Sequence, residues 1–270
     1  MHGESAAWRL CSGYRRAVPE KRLVQIRDGV VSRPRKPWTP TVQSLLNHLH
    51  SRGLPVPEPL GYDDQLEYVG FIQGDAGDGA WPHQLHLSGL RSAGVLLRQL
   101  HEASSGWQPP DFAEWSVPAE PGPVVVCHGD PQPGNFAWRA GEVVGLFDWD
   151  AARPAAPISD LAYALLWFTP VNGHDSELRR RGHAATPDRR ARADALLEGY
   201  GWDQPIDVIE AAVNRHIQAI NEVALLGSQG HEPLASWVAE GWPDRWRAGI
   251  ADLRNTSLGQ PNGRKRLNVR

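Results

Sequence analysis

The sequence predicts an α+β protein, with strands gathered towards the N-terminal side and a larger, mostly helical remainder. Leu23 to Arg33 forms two β-rich runs around Asp28-Gly29, a strong hairpin signal. Leu85–Ala103, Ile158–Phe168 and Pro205–Leu226 carry apolar residues at helical spacing or nearly throughout. Short strands around polar loops separate the first two of these helices, at Val124–Cys127 and Gly145–Asp148.

With 270 residues, 41% of them hydrophobic, the chain can bury a substantial core as one large domain or two modest lobes. A formal net charge of −3 gives no case for nucleic acid or an anionic membrane surface. The two cysteines, Cys11 and Cys127, are far apart and suggest no disulfide framework. The start at Met1-His2-Gly3 lacks a basic and apolar leader, and no apolar run approaches the roughly 18 residues of a membrane span. The expectation is a soluble cytoplasmic protein.

Residues 1–22 are weakly patterned, with scattered Arg and Lys. After the hairpin, Thr39 and Pro40 read as the start of a helix that carries Leu45, Leu46 and Leu49 and stops at Gly53. Pro55, Pro57 and Pro59 read as an extended linker, and Glu67–Ile72 as a strand. The Leu85–Ala103 helix bears Leu87, Leu90, Leu96, Leu97 and Leu100 on roughly one face. Residues 107–122, rich in Pro and acids, read as an irregular connection.

Val124–Phe136 then gives a β-branched run, a polar loop with two prolines and two glycines, and the start of a second strand. Arg139-Ala140-Gly141-Glu142 reads as a hairpin turn, and Gly145–Asp148 as a strand that ends on an acid. Two strand-end loops therefore lie side by side, one offering Asp130 and Asn135, the other Asp148. Three oxygen-bearing side chains in one place suit Mg²⁺, which takes one or two carboxylates plus phosphate oxygens and water. Asp and Asn commonly do no more than cap turns. Yet His128-x-Asp130, then Asn135, then the strand-end Asp148 is the order found in phosphoryl-transfer enzymes of the kinase type.

Residues 151–157 read as a proline-rich loop, and Asp160 stands near the start of the following helix, where a carboxylate suits the helix dipole. Arg179-Arg180-Arg181 reads as a solvated loop. Thr186-Pro187-Asp188 opens a helix towards Gly199; two further helices are expected around Leu234–Glu240 and Arg245–Leu253, and a disordered tail from Asn255.

Cys127-His-Gly-Asp-Pro-Gln-Pro-Gly-Asn-Phe136, Gly145-Leu-Phe-Asp-Trp-Asp150 and Asp160-Leu-Ala-Tyr-Ala-Leu165 together resemble the aminoglycoside phosphotransferase/choline kinase-like family. The resemblance runs from about Leu23 to Leu226. It implies a bilobal, protein-kinase-like fold: 1–72 as the nucleotide-binding lobe, 73–258 as the catalytic and substrate-binding lobe, and 259–270 as a tail. It also implies transfer of a phosphoryl group from ATP or GTP, with Mg²⁺, to a hydroxyl of a small molecule such as an aminoglycoside, another antibiotic or a metabolite alcohol. Asp130 would be the catalytic base, Asn135 and Asp148 the metal ligands. Arg33 would meet the phosphates and the backbone at Gly70 and Ile72 the adenine, with His128, Gln43 and Asp160 standing behind these groups.

Departures from the family pattern cluster in the small lobe. Residues 1–22 hold no Gly-x-Gly-x-x-Gly, and Arg33 stands where the family has Lys, not a neutral replacement. The 41–52 helix has no acid, and Gln43 stands where the family's Glu pairs that Lys. Arg33 is therefore expected to be poorly fixed without nucleotide, or to pair with some other acid, and Gln43→Glu to tighten nucleotide binding. These departures favour a rival reading, a degenerate kinase fold that binds a ligand without turnover. The complete Asp130, Asn135 and Asp148 set opposes it. A protein kinase is remote, since Asp-Phe-Gly and Ala-Pro-Glu are both absent. The acid surplus behind residue 155 is mild and does not single out a polycationic acceptor.

Overall fold

Asp28 and Gly29 both take positive φ (51° and 78°), as a two-residue turn matched to strand twist requires. They join β1 (Gln25–Arg27) to β2 (Val30–Pro34) at the beginning of the described part of the chain. The computed structural model describes residues 24–122, 125–171 and 175–259. The expected phosphate-covering loop within 1–22 and the tail beyond 259 lie outside these.

β1 and β2 continue into a four-stranded antiparallel sheet, ordered β1-β2-β4-β3, with β3 at Pro59–Tyr62 and β4 at Leu66–Gly70. Pro59, read from sequence as linker, opens β3. An edge strand tolerates the missing N–H that a central strand would need. Helix α1 (Thr39–His50) buries Val42, Leu45, Leu46 and Leu49. Thr39 begins this helix, and its hydroxyl accepts the Lys36 N–H (3.0 Å).

From Gly70 the chain crosses into the large lobe, where Asp75 and Trp138 exchange backbone hydrogen bonds (2.8 and 2.9 Å). Helix α2 (Leu87–Ser104) buries Leu90, Leu96, Leu97 and Leu100. Two ribbons follow: β5 (Val125–Cys127) with β8 (Arg153–Ala155), and β6 (Phe136–Arg139) with β7 (Glu142–Leu146). Residues 153–155 thus form a strand within the segment expected to be a loop, because the β5 edge needs a ladder partner. Helix α3 (Pro157–Phe168) is buried along almost its whole length, as its continuous apolar run requires.

The remaining helices are α4 (Asp175–Arg180), α5 (Arg189–Tyr200), α6 (Val208–Ser228), α7 (Leu234–Ala239), α8 (Trp242–Ala248) and α9 (Ile250–Arg254). Asp188 and Asp207 cap α5 and α6 by accepting the Ala191 and Glu210 N–H groups. The Arg179–Arg181 run is not a solvated loop. Its first two residues end α4, and Arg181 is only 2% exposed. The Arg181 guanidinium lies over Trp81 and Trp167 (4.7 and 5.5 Å to the ring centres) and bonds Glu177 (2.8 Å). Trp138, Trp149, Trp167, Trp242 and Trp246 are all buried, a core use of the tryptophans. No described helix is long and apolar enough to cross a membrane.

Candidate active site

The ends of β5 and β7 hold the site. Beyond β5, the backbone of His128-Gly129-Asp130 is gripped from several sides. Asp160, on the first turn of α3 and 1% exposed, accepts the His128 N–H (2.7 Å) and the Gly129 N–H (2.8 Å). It also bonds His101 Nε2 (3.0 Å). Burial opposes charge on this carboxyl, but the His101 contacts and the loop amides outweigh burial and hold it down at about 2. Gly129 has φ +86°, and a Cβ there would lie 2.1 Å from the Ala151 carbonyl oxygen. Only glycine fits between the two loops.

His128 points away from the solvent. Its Nε2 lies 2.9 Å from the Phe147 carbonyl and its Nδ1 accepts the Asp130 N–H (3.2 Å). That pairing assigns the proton to Nε2 in a neutral ring, and burial lowers the imidazole pKa accordingly. His128 therefore ties the Asp130 loop to the Asp148 loop, and Trp149 packs edge-on against it (4.8 Å).

Asn135 donates its side-chain N–H₂ to the Asp130 carbonyl oxygen (2.8 Å) and to Asp130 Oδ2 (2.9 Å). The amide orientation follows from these two acceptors, which turns Asn135 Oδ1 away from Asp130. Gln132 also donates to Asp130 Oδ2 (3.3 Å). Asp130 Oδ1 is shielded from water and has no hydrogen-bond partner among the described residues. Burial, and then the charge of Asp148, push the Asp130 carboxyl up to about 7 against the hydrogen bonds from Gln132 and Asn135. Asp148 takes a left-handed conformation (φ 66°, ψ 63°), unusual for a residue with a side chain and common where a functional group must be presented at an angle.

Arg33 is not loose. Its cross-strand neighbour in the β2–β4 register is Glu67, which is 1% exposed and accepts from Arg33 Nε. Arg33 Nη1 bonds Asp148 Oδ1 (3.1 Å) and Nη2 bonds Asp150 Oδ1 (2.8 Å). Burial works against the guanidinium charge, but Asp150, Asp148 and Glu67 together raise its pKa further. Burial pushes the Glu67 carboxyl up despite the Arg33 charge. Of the two alternatives expected from the acid-free helix, pairing with another acid is the one found: Glu67 supplies it across the sheet, and the argument for a loosely held Arg33 falls. Gln43 does not face Arg33. Its amide donates to the Tyr68 carbonyl (3.1 Å) and accepts the Gly61 N–H (3.1 Å), fastening α1 to the sheet.

At the crossing between lobes, the Gly70 N–H is committed to the Glu58 carbonyl and the Phe71 N–H to Gly29 (2.8 Å each). The Gly70 N–H is therefore not free to donate to a base. The Ile72 backbone has no such bond among the described residues, and its side chain lies on Gly145 of β7. Sequence reasoning passed over Arg215 on α6, which is 2% exposed. Its Nη2 donates to the Gly129 carbonyl (2.7 Å) and to Glu222 (3.1 Å), which Arg153 also holds (2.8 Å). Nothing in an amphipathic pattern distinguishes such a buried Arg from a solvated one. His101, Cys127 and Asp160 lie within metal-binding distance of one another. Burial raises the Cys127 thiol well above its ordinary value, and both Asp160 oxygens are engaged by the loop, so this trio is a structural network.

The sequence profile of the phosphotransferase enzyme family matches residues 111–196, the segment that contains both loops. The trifolitoxin immunity protein of Rhizobium leguminosarum bv. trifolii is 31% identical over 237 residues, covering 82% of this chain and 86% of that protein. The chain belongs to the phosphotransferase enzyme family. Its fold is the bilobal one of protein-kinase-like phosphotransferases. A choline/ethanolamine kinase family protein from Mesorhizobium loti superposes with a TM-score of 0.53 at 16% identity, over 86% of this chain and 88% of that one. Amicoumacin kinase, in a complex with AMP-PNP and Ca²⁺, gives 0.55 at 15% identity, over 85% and 84%. Spectinomycin phosphotransferase, in a complex with ADP and spectinomycin, gives 0.53 at 13% identity, over 85% and 86%. At these identities the likeness is one of fold.

Proposed function

We propose that this phosphotransferase-family chain moves the terminal phosphoryl group of ATP or GTP to a hydroxyl of a small molecule, with residues 1–72 and 73–258 as its two lobes. The carrying observation is Asp130: one oxygen is fixed by Asn135 and Gln132, and the other is shielded and without a partner among the described residues. An acceptor hydroxyl would satisfy that oxygen and give up its proton to it as the new P–O bond forms. A carboxyl raised to about 7 is poised for such a transfer near neutral pH.

The donor set also suits a divalent cation. Among the described residues, Glu67, Asp148 and Asp150 gather around Arg33, and Asn135 Oδ1 is turned away from Asp130. Asn135 and Asp148 would hold the ion, which would neutralise charge on the triphosphate. Arg33 would hold phosphate oxygens, and the Ile72 backbone would meet the base. Asp160, His128 and Arg215 keep the Asp130 loop in register. Catalysis of this kind is mostly positioning and charge stabilisation. The nucleotides and Ca²⁺ in the amicoumacin kinase and spectinomycin phosphotransferase structures support nucleotide and divalent-ion use. Those two names, and that of the trifolitoxin immunity protein, support an antibiotic-like acceptor. The Arg33–Glu67 pair removes one ground for the non-catalytic reading.

The test is an ADP- and GDP-release assay across aminoglycosides, nucleoside antibiotics, macrolides, amino alcohols and simple sugars. Release that requires one acceptor and is abolished by Asp130→Asn is expected. Release that is acceptor-independent, or equal in the variant, would refute the proposal.

A further inference from the structure

Asp148 already has a cation, and it belongs to the chain. Three nitrogens of Arg33 meet three different carboxylates: Nε on Glu67 of the small lobe, Nη1 on Asp148 and Nη2 on Asp150 of the large lobe. Trp38 Nε1 adds a donor to the same Asp150 oxygen (3.3 Å). The arrangement uses the fork of a guanidinium; an ammonium on a shorter head could not span the three. Asp148 and Asp150 are both about a third exposed, 37% for each side chain, so a cation from solvent can reach them. It would meet Arg33 there. Among the described residues, more acids than cations meet here, which attracts a divalent ion, but the fixed guanidinium stands in its place.

We propose that Arg33 is a resident placeholder cation, occupying Asp148 until a divalent ion arrives together with a triphosphate, whose oxygens take over the guanidinium. This rests on the reading of Asp148 as a metal ligand. Metal alone offers Arg33 no new partner and must compete with it. Metal with nucleotide offers both: Asp148 passes to the ion, and Nη1 passes to phosphate. Arg33 thereby links Glu67 of one lobe to Asp148 and Asp150 of the other, and free metal ions are kept from binding Asp148 unproductively.

The test follows Mn²⁺ alone by the loss of the free-ion EPR signal, and Mn²⁺ with AMP-PNP by calorimetric titration of the protein with the preformed complex, corrected for a protein-free blank. Wild type, Arg33→Lys, and the double variant Arg33→Met/Glu67→Gln are compared; the last leaves no buried acid without its cation. Arg33→Lys keeps the positive charge but cannot hold three carboxylates. It should bind Mn²⁺ alone at least tenfold more tightly than wild type and AMP-PNP less tightly, and the double variant should move the same way. If Arg33→Lys binds Mn²⁺ alone no better than wild type while the double variant does, through-space charge suffices and the placeholder is overturned. The same holds if wild type binds the Mn²⁺ complex of AMP-PNP no more tightly than Mn²⁺ alone. If neither wild type nor the variants bind Mn²⁺ with AMP-PNP, the metal-nucleotide reading of the site falls as well.

Discussion

Replacing Asp160 by Asn would show how the His128–Asp130 loop is held. The carboxylate accepts three N–H groups: those of His128 and Gly129 from the backbone, and the His101 side chain. In Asn one of the two oxygens becomes an N–H₂, which must face a donor in a site that is 1% exposed. A buried donor left unpaired costs about 1–3 kcal/mol, and loss of a buried charged partner costs about 3–5 kcal/mol in all. Urea unfolding of both proteins, followed by tryptophan fluorescence, should therefore show a loss of about 3–5 kcal/mol at pH 7 with little change of slope. Acid adds a second signature. The folded pKa of about 2 lies below the ordinary 3.8, so the stabilisation is complete above pH 3.8 and is lost as the pH falls towards 2. A depression of nearly two units corresponds to about 2 kcal/mol, which wild type should lose over that interval and the Asn variant should not. A variant within about 0.5 kcal/mol of wild type, with the same acid profile, would refute this account of the loop.

Asp130→Asn should keep nucleotide affinity near wild type while turnover falls roughly two to four orders of magnitude; calorimetry and the nucleotide-release assay separate the two. Equal loss of binding and turnover would make Asp130 a loop fastener. Gln43→Glu, once expected to help, should instead destabilise by about 1–3 kcal/mol, because a carboxylate oxygen then faces the Tyr68 carbonyl that the amide N–H now serves. Thermal unfolding checks this, and unchanged stability with tighter nucleotide binding would restore the earlier expectation.

Several helices and hairpins of both lobes were legible because their signals are local. Helical spacing marks α2, α3 and α6, and glycine turns mark the β1–β2 and β6–β7 hairpins. The grouping of His128, Asp130, Asn135 and Asp148 follows from two adjacent strand ends. What escaped depended on register or burial. Glu67 partners Arg33 from 34 residues away, because β2 and β4 pair in one particular register. Arg181 reads as part of a solvated charge run and Arg215 as a solvent-facing charge in a helix pattern, yet each lies buried against an aromatic ring and a carboxylate. The strand at 153–155 has no alternation of its own and exists because β5 needs an edge partner.

The central claim, that Asn135 and Asp148 hold a metal-nucleotide over Asp130, is tested most directly by a crystal structure of the chain with AMP-PNP and Mg²⁺. Both side chains should lie about 2.1 Å from one ion, with the terminal phosphoryl group facing Asp130 Oδ1 and Arg33 Nη1 moved from Asp148 to a phosphate oxygen. A nucleotide bound elsewhere, or Asn135 and Asp148 turned away from its phosphates, would contradict the account.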